Sequence, residues 1–216
     1  MQDPFRLAEL MCARLCHDLS GPLGTLLGTT ELMRGSAWED QNVVATTAEA
    51  ASTMALRLRL MRAAWAGDAA PMPAADMAAL AEGVGAGRRV TLDLAQIDRA
   101  AVFAPGEGRV VLNLLLLALE GLAGAGRIAL SGTAGGDMVV TIDGPRAAWP
   151  AGLATWVHDE QAAWDALRTA RSLQAPLTAL LAHRTGVRLS LLIPSGAPTP
   201  APPLLLSQPR LAPRVR

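Results

Sequence analysis

His17 is followed directly by Asp18, which presents a nucleophile and a charge partner side by side. Neutral imidazole is a good nucleophile near pH 7, because an ordinary pKa of about 6.5 leaves much of it unprotonated. An adjacent carboxylate can accept from the second ring nitrogen, fix the tautomer and stabilise the positive charge that develops on attack. The chemistry that fits is acceptance of a phosphoryl group on His17. Arg14, one helical turn earlier, is a candidate to neutralise phosphoryl oxygens, or else a plain surface charge.

A helix must carry these residues. Asp3 is a good N-cap and Pro4 suits the first helical position, where a missing N–H costs nothing. Cys12, Leu15, Leu19, Pro22, Leu26, Thr29 and Met33 then step by three and four, which is the seam of a helix that packs on other helices. His17 lies off that seam. Its face is bare, with Ala13, Ser20, Gly21 and Gly24 around it, and these four are the expected contacts for a partner protein. Mid-helix Gly costs about 1 kcal/mol and Pro about 3, a loss that makes sense where another protein must reach a side chain. Pro22 also deprives the Asp18 carbonyl of its helical donor, so a local bend is expected there.

The run His17, Asp18, Leu19, Ser20, Gly21, Pro22, Leu23 resembles the H-box of sensor histidine kinases, with an acidic residue after the His and a Pro five residues beyond it. The wider string from Ala13 to Gly24, with Arg14 and Cys16, is most similar to the ChpT-type histidine phosphotransferases of alphaproteobacteria. The likeness is strong over roughly the first thirty-five residues and weaker, though consistent in layout, to about Ile193. It implies a relay in which His17 takes a phosphoryl group from the receiver domain of a hybrid histidine kinase and gives it to the receivers of response regulators. The catalytic Mg²⁺ would come with the receiver partner, and this chain would bring no cofactor.

The rest of the chain follows the same layout. After a break at Arg34 to Ser36, a second helix is expected near Asp40, with Val44, Thr47, Ala51, Met54, Leu58, Met61 and Trp65 as its stripe. Two long helices on a short link make an antiparallel hairpin over residues 1–68 with nothing of its own to bury its stripe. Pairing with a second copy would give a four-helix bundle and a homodimer, as the resemblance also implies. A linker to Pro73 precedes an α+β domain over residues 74–193. Its expected elements are a helix at 76–82, a strand at 90–94, a helix at 107–123, strands at 127–131 and 138–142, helices at 160–173 and 176–183, and a strand at 187–193. Residues 194–216, with seven prolines and no acidic residue, read as a disordered tail.

By the same resemblance the α+β domain should have the shape of a kinase ATPase domain, and its nucleotide motifs are degenerate. The stretch Asn113, Leu114, Leu115, Leu116, Leu117, Ala118 is similar to the kinase pattern N-L-L-x-N-A, with Leu117 at the Asn that binds metal. Leucine offers Mg²⁺ no oxygen. After the strand ending at Ile142 come Asp143, Gly144, Pro145, Arg146 and Ala147, which keep the Asp of the adenine-reading turn and lose its glycine spacing. The expected glycine-rich lid instead reads Leu173, Gln174, Ala175, Pro176, Leu177. ATP binding is therefore not expected.

Composition narrows the classes further. The 19 basic residues are all Arg and are balanced by 19 acidic ones, which gives no drive toward nucleic acid or an anionic membrane. Glu9 and Arg14 interrupt any signal-peptide core, and the apolar run from Val110 to Ala125 holds Asn113 and Glu120 and falls short of the ~20 residues that span a bilayer. A soluble cytoplasmic protein is expected. Cys12 and Cys16 lack haem spacing and fit helix packing, and no metal is expected. Two other functions stay open: a non-catalytic dimeric scaffold that recruits response regulators, or a histidine kinase without a sensor. A metal-dependent phosphohydrolase would need more ligands than the remaining His158 and His183.

Overall fold

The computed structural model describes residues 3–35, 40–66, 70–193 and 200–208. Helix α1 runs Pro4–Arg34, and Asp3 caps it as its sequence requires, with one carboxylate oxygen accepting from the Phe5 and Arg6 amides at 3.0 and 3.1 Å. Pro22 lies inside α1 and does not end it. Helix α2 spans Gln41–Ala66, begun by Asp40, whose carboxylate accepts from the Asn42 amide at 2.9 Å. The two helices pack on each other as a hairpin.

Six of the seven expected seam residues of α1, from Leu15 to Met33, are half-buried, whereas Cys12 is exposed. On α2 the expected stripe divides. Thr47, Met54, Met61 and Trp65 turn inward, while Val44, Ala51 and Leu58 stay exposed. Both cysteines are exposed free thiols, so packing within the chain does not account for them.

Beyond the hairpin, β1 (Met72–Pro73) pairs antiparallel with β3 (Val102–Phe103), and between them lie α3 (Ala74–Gly85) and β2 (Arg89–Gln96). Next come α4 (Glu107–Gly121), β4 (Ala125–Gly132) and β5 (Met138–Asp143). Two short helices, α5 (Leu153–Trp156) and α6 (Glu160–Asp165), and a 3-10 turn at Ala170–Ser172 lead to α7 (Gln174–Thr185), β6 (Arg188–Leu191) and β7 (Leu204–Ser207). The five-stranded sheet has the order β2-β4-β5-β7-β6, with β2 and β4 parallel and every other pair antiparallel. Helices α3, α4 and α7 cover it, giving the expected α+β class: a helical region followed by a mixed sheet domain. The apolar run expected as a buried helix is α4, and among the described residues no helix is long and apolar enough to cross a membrane.

Two further expectations fail. The helix expected over 160–173 ends at Asp165, and a separate turn forms where the Thr169 hydroxyl accepts from the Ser172 amide. The disordered tail is corrected by β7, an interior strand with Leu204 and Leu206 fully buried. Proline carbonyls can accept though proline nitrogens cannot donate, and here they are met. The Trp149 indole N–H donates to the Pro202 carbonyl at 2.7 Å, the Trp149 amide to Pro200 at 3.0 Å and the Leu192 amide to Pro203 at 2.8 Å. Of the remaining tail, residues 194–199 and 209–216 lie outside the described residues.

Candidate functional site

Every residue of α4 is buried except Arg109 and Glu120. With Asn113 they form one stripe, since steps of four and seven return to the same helix face. That stripe meets the hairpin. The Arg109 guanidinium donates to the Trp65 carbonyl at 2.9 Å, the Asn113 amide to the Ala64 carbonyl at 2.8 Å, and Glu120 accepts from Arg14 at 2.5 Å. At Gly83 the approach of α3 to α2 is so close that a Cβ would lie 2.6 Å from the Leu56 carbonyl oxygen.

The first turns of α1 are anchored separately. Leu10, 4% exposed, packs with Leu173, Leu177 and Leu180 around α7. The Arg6 guanidinium donates to the Arg168 carbonyl at 3.0 Å. The segment where a kinase would carry its glycine-rich lid is thus the buried start of α7, packed on α1. Its Gln174 amide donates to the Asn113 side-chain oxygen at 2.9 Å and to the Thr178 hydroxyl at 3.1 Å, while Leu117 is fully buried in the core.

His17 stands at a cleft where α1, α2, the loop before β2, α4 and the 3-10 turn converge. Its side chain is 60% exposed, and Nδ1 lies 3.0 Å from an Asp18 oxygen, whereas Asp18 itself is only 12% exposed. The second Asp18 oxygen accepts from Arg14 Nε at 2.6 Å. The remaining donors of Arg14 are also engaged: Nη2 with Glu120, and Nη1 with the Ala170 and Arg171 carbonyls at 3.3 and 3.5 Å. Burial works against the Arg14 charge, but Glu120 and Asp18 outweigh it and hold the guanidinium above its ordinary value. Burial pushes the Glu120 carboxyl above its ordinary value, against the pull of Arg14.

Arg57, Arg88 and Arg171 also line the cleft. Arg57 donates to the Ala86 carbonyl at 2.8 Å, and burial and the nearby Arg88 charge lower its pKa, with Asp18 opposing. Ala13, Ser20, Gly21 and Gly24 are all exposed on the His17 side of α1, and the Ser20 hydroxyl donates back to the Cys16 carbonyl at 2.6 Å. A Cβ at Gly21 or Gly24 would meet nothing within 4 Å, so no packing inside the chain requires glycine there. Neither of the other histidines lines this cleft. His158 is exposed, and His183 bonds the Trp156 carbonyl at 2.9 Å. Among the described residues no three His, Cys, Asp or Glu side chains group to hold a metal ion.

Glu120, Arg57, Arg88 and Arg171 are charged residues of this cleft that sequence reasoning did not find. The signal available for Glu120 was a charge in an apolar helix, which marks a special position without naming its partner.

No curated protein matches the chain in sequence. Among solved structures, a bacterial phosphotransferase superposes with a TM-score of 0.72 at 21% identity, covering 96% of this chain and 97% of its own, which shows a shared fold. The mycobacterial sensor histidine kinase MprB gives a TM-score of 0.43 at 19% identity over 64% of this chain and 97% of its own. A histidine kinase domain from Erythrobacter litoralis gives 0.40 at 15% identity over 95% of this chain and 94% of its own. Residues 74–196, more than half of the chain, match the profile of the histidine phosphotransferase C-terminal domain, and the chain belongs to that family.

Proposed function

We propose that this protein relays a phosphoryl group on His17 from the receiver domain of a hybrid histidine kinase to the receiver Asp of response regulators, as a homodimer and without ATP. One observation carries the proposal: an exposed imidazole paired at 3.0 Å with a largely buried carboxylate. With Nδ1–H donating to Asp18, the lone pair sits on Nε2 and faces solvent. Nε2 attacks the phosphorus of an aspartyl phosphate, the P–O bond to the donor carboxylate breaks, and its electron pair leaves with that carboxylate. The ring becomes cationic against Asp18. Transfer to the next receiver runs the same step in reverse.

Arg14 is not the cation that meets the phosphoryl group in this reading. Its donors are committed to Asp18, Glu120 and two carbonyls, which makes it a holder of Asp18. Arg57, Arg88 and Arg171 supply positive charge on the cleft side. The bare face of Ala13, Ser20, Gly21 and Gly24 receives the receiver domain.

Homodimerisation is supported by Leu23, Leu27, Val44 and Leu58, which are 46%, 61%, 45% and 39% exposed on the hairpin of a single chain. The absence of ATP chemistry is supported by Asn113 and Gln174, whose polar groups are spent on one another, and by the seating of the lid segment against α1.

The test is transfer of labelled phosphate from a panel of purified, charged receiver domains to the full chain. Wild type should take label that survives base and not acid, as phosphohistidine does, and His17→Ala should take none. Label persisting on the Ala variant would move the acceptor to His158 or His183. A scaffold would bind receivers and take no label in either form.

A further inference from the structure

We infer that Glu120 is a positioning residue for phosphotransfer: from α4 it holds the Arg14 guanidinium, which aims Asp18 at the His17 ring. The inference rests on the reading of His17 as acceptor, and deepens it by giving the C-terminal domain a part in the chemistry.

The connection is continuous. Glu120 accepts from Arg14 Nη2 at 2.5 Å, Arg14 Nε donates to one Asp18 oxygen at 2.6 Å, and the other Asp18 oxygen meets His17 Nδ1 at 3.0 Å. A guanidinium is a rigid planar fork, so fixing Nη1 and Nη2 fixes the direction of Nε. Without Glu120 the Nη2 edge loses its partner, and beyond Asp18 only the two longer Nη1 bonds, at 3.3 and 3.5 Å, hold the plane.

Charge gives a second reason. Asp18 paired with Arg14 alone is neutralised and offers a developing imidazolium little. Glu120 adds a second negative charge, so Asp18, Arg14 and Glu120 together carry one net negative charge on the Nδ1 side of the ring. The other charged groups lining the cleft are cationic: Arg57 from α2, Arg88 from the loop before β2, and Arg171 from the 3-10 turn. Arg57 is near enough to feel Asp18, and Arg88 to feel Glu120, so each carboxylate also offsets a cation that would otherwise oppose an imidazolium.

Attachment of the two parts of the chain does not need this carboxylate. The Leu10 cluster on α7, the Arg6 bond to Arg168 and the Asn113 and Arg109 bonds to α2 already join them. A half-buried carboxylate near the end of a largely apolar helix is costly unless it is paired, and its partner here is Arg14.

The experiment uses the full chain with Glu120→Gln and Glu120→Asp, and phosphoramidate as a small donor that needs no receiver. In that reaction the Nε2–P bond forms as the donor N–P bond breaks, ammonia leaves with that electron pair, and the ring keeps its Nδ1 proton against Asp18. Nitrogen NMR of the imidazole reads the tautomer of His17 separately from activity. Glu120→Gln should erode the Nδ1–H tautomer and slow phosphorylation roughly ten- to a hundredfold, the scale on which a misplaced group acts. Glu120→Asp, which keeps the charge, should restore most of both. A His17 tautomer identical in wild type and Glu120→Gln overturns the inference, as does a Glu120→Gln chain that does not fold, since the carboxylate would then serve attachment. Wild type that takes no phosphate on His17 defeats the proposed function, while the tautomer still reports on Glu120.

Discussion

The Gln174 side-chain amide donates to the Asn113 side-chain oxygen at 2.9 Å, fully inside the protein. Asn113 also donates to the Ala64 carbonyl, so a residue whose resemblance places it beside a nucleotide instead ties α4 to α2 and α7. A buried network with its partners satisfied resists rearrangement, because a broken member leaves another unpaired in low dielectric.

Millimolar ATP or ADP with Mg²⁺ should accordingly leave the melting temperature unchanged. A ligand at 100 times its Kd that binds only the native state adds about 2.7 kcal/mol, which a thermal scan detects easily. A clear upward shift would return the chain to the kinase reading.

Leu27 and Leu58 test the dimer better than the half-buried seam residues, since they are exposed in the single chain and a charge there meets only a partner. The full chain should sediment as a dimer. Leu27→Glu or Leu58→Glu should give folded monomers that melt lower than the dimer and at a temperature independent of protein concentration, because a charge buried across the interface costs several kcal/mol and the stabilisation by association is lost. Wild type that sediments as a monomer rules the bundle out.

Much of this architecture can be read along the chain because its causes are local. Asp3 and Pro4 announce the start of α1, and a carboxylate one residue from His17 has few places to go other than the ring. What escapes reading has nonlocal causes. Arg14 and Glu120 are far apart in sequence, and nothing in either neighbourhood names the other. Strand β7 escapes for a different reason: composition over the last 23 residues averages Leu204 and Leu206 with prolines, whose carbonyls find donors only after Trp149 and Leu192 are in place. Strands β1 and β3, two residues each, are too short to show a period.

Gly24 separates the needs of the helix from those of the partner. No atom lies within 4 Å of where its Cβ would be, so Gly24→Ala should stabilise α1 by up to about 1 kcal/mol. Gly24→Gln should also fold normally, yet slow transfer from a charged receiver by filling the face that the receiver approaches. Denaturant midpoints and single-turnover transfer rates check the two effects in the same preparations. Unchanged transfer in the Gln variant would place docking on another face.

Asp18→Asn separates orientation from charge at the reacting ring. An amide can still meet Nδ1 through its oxygen, so His17 should remain modifiable. The amide carries no charge to stabilise an imidazolium, and beside Arg14 Nε its NH₂ group would set donor against donor unless its single oxygen turned from the ring to the guanidinium. Transfer should therefore slow roughly a hundredfold or more, within the range for loss of an acid–base partner, with His17 still the labelled residue. A wild-type transfer rate in Asp18→Asn would mean that the carboxylate 3.0 Å from the ring orients nothing that matters, and the His17–Asp18 pair would lose its claim to the chemistry.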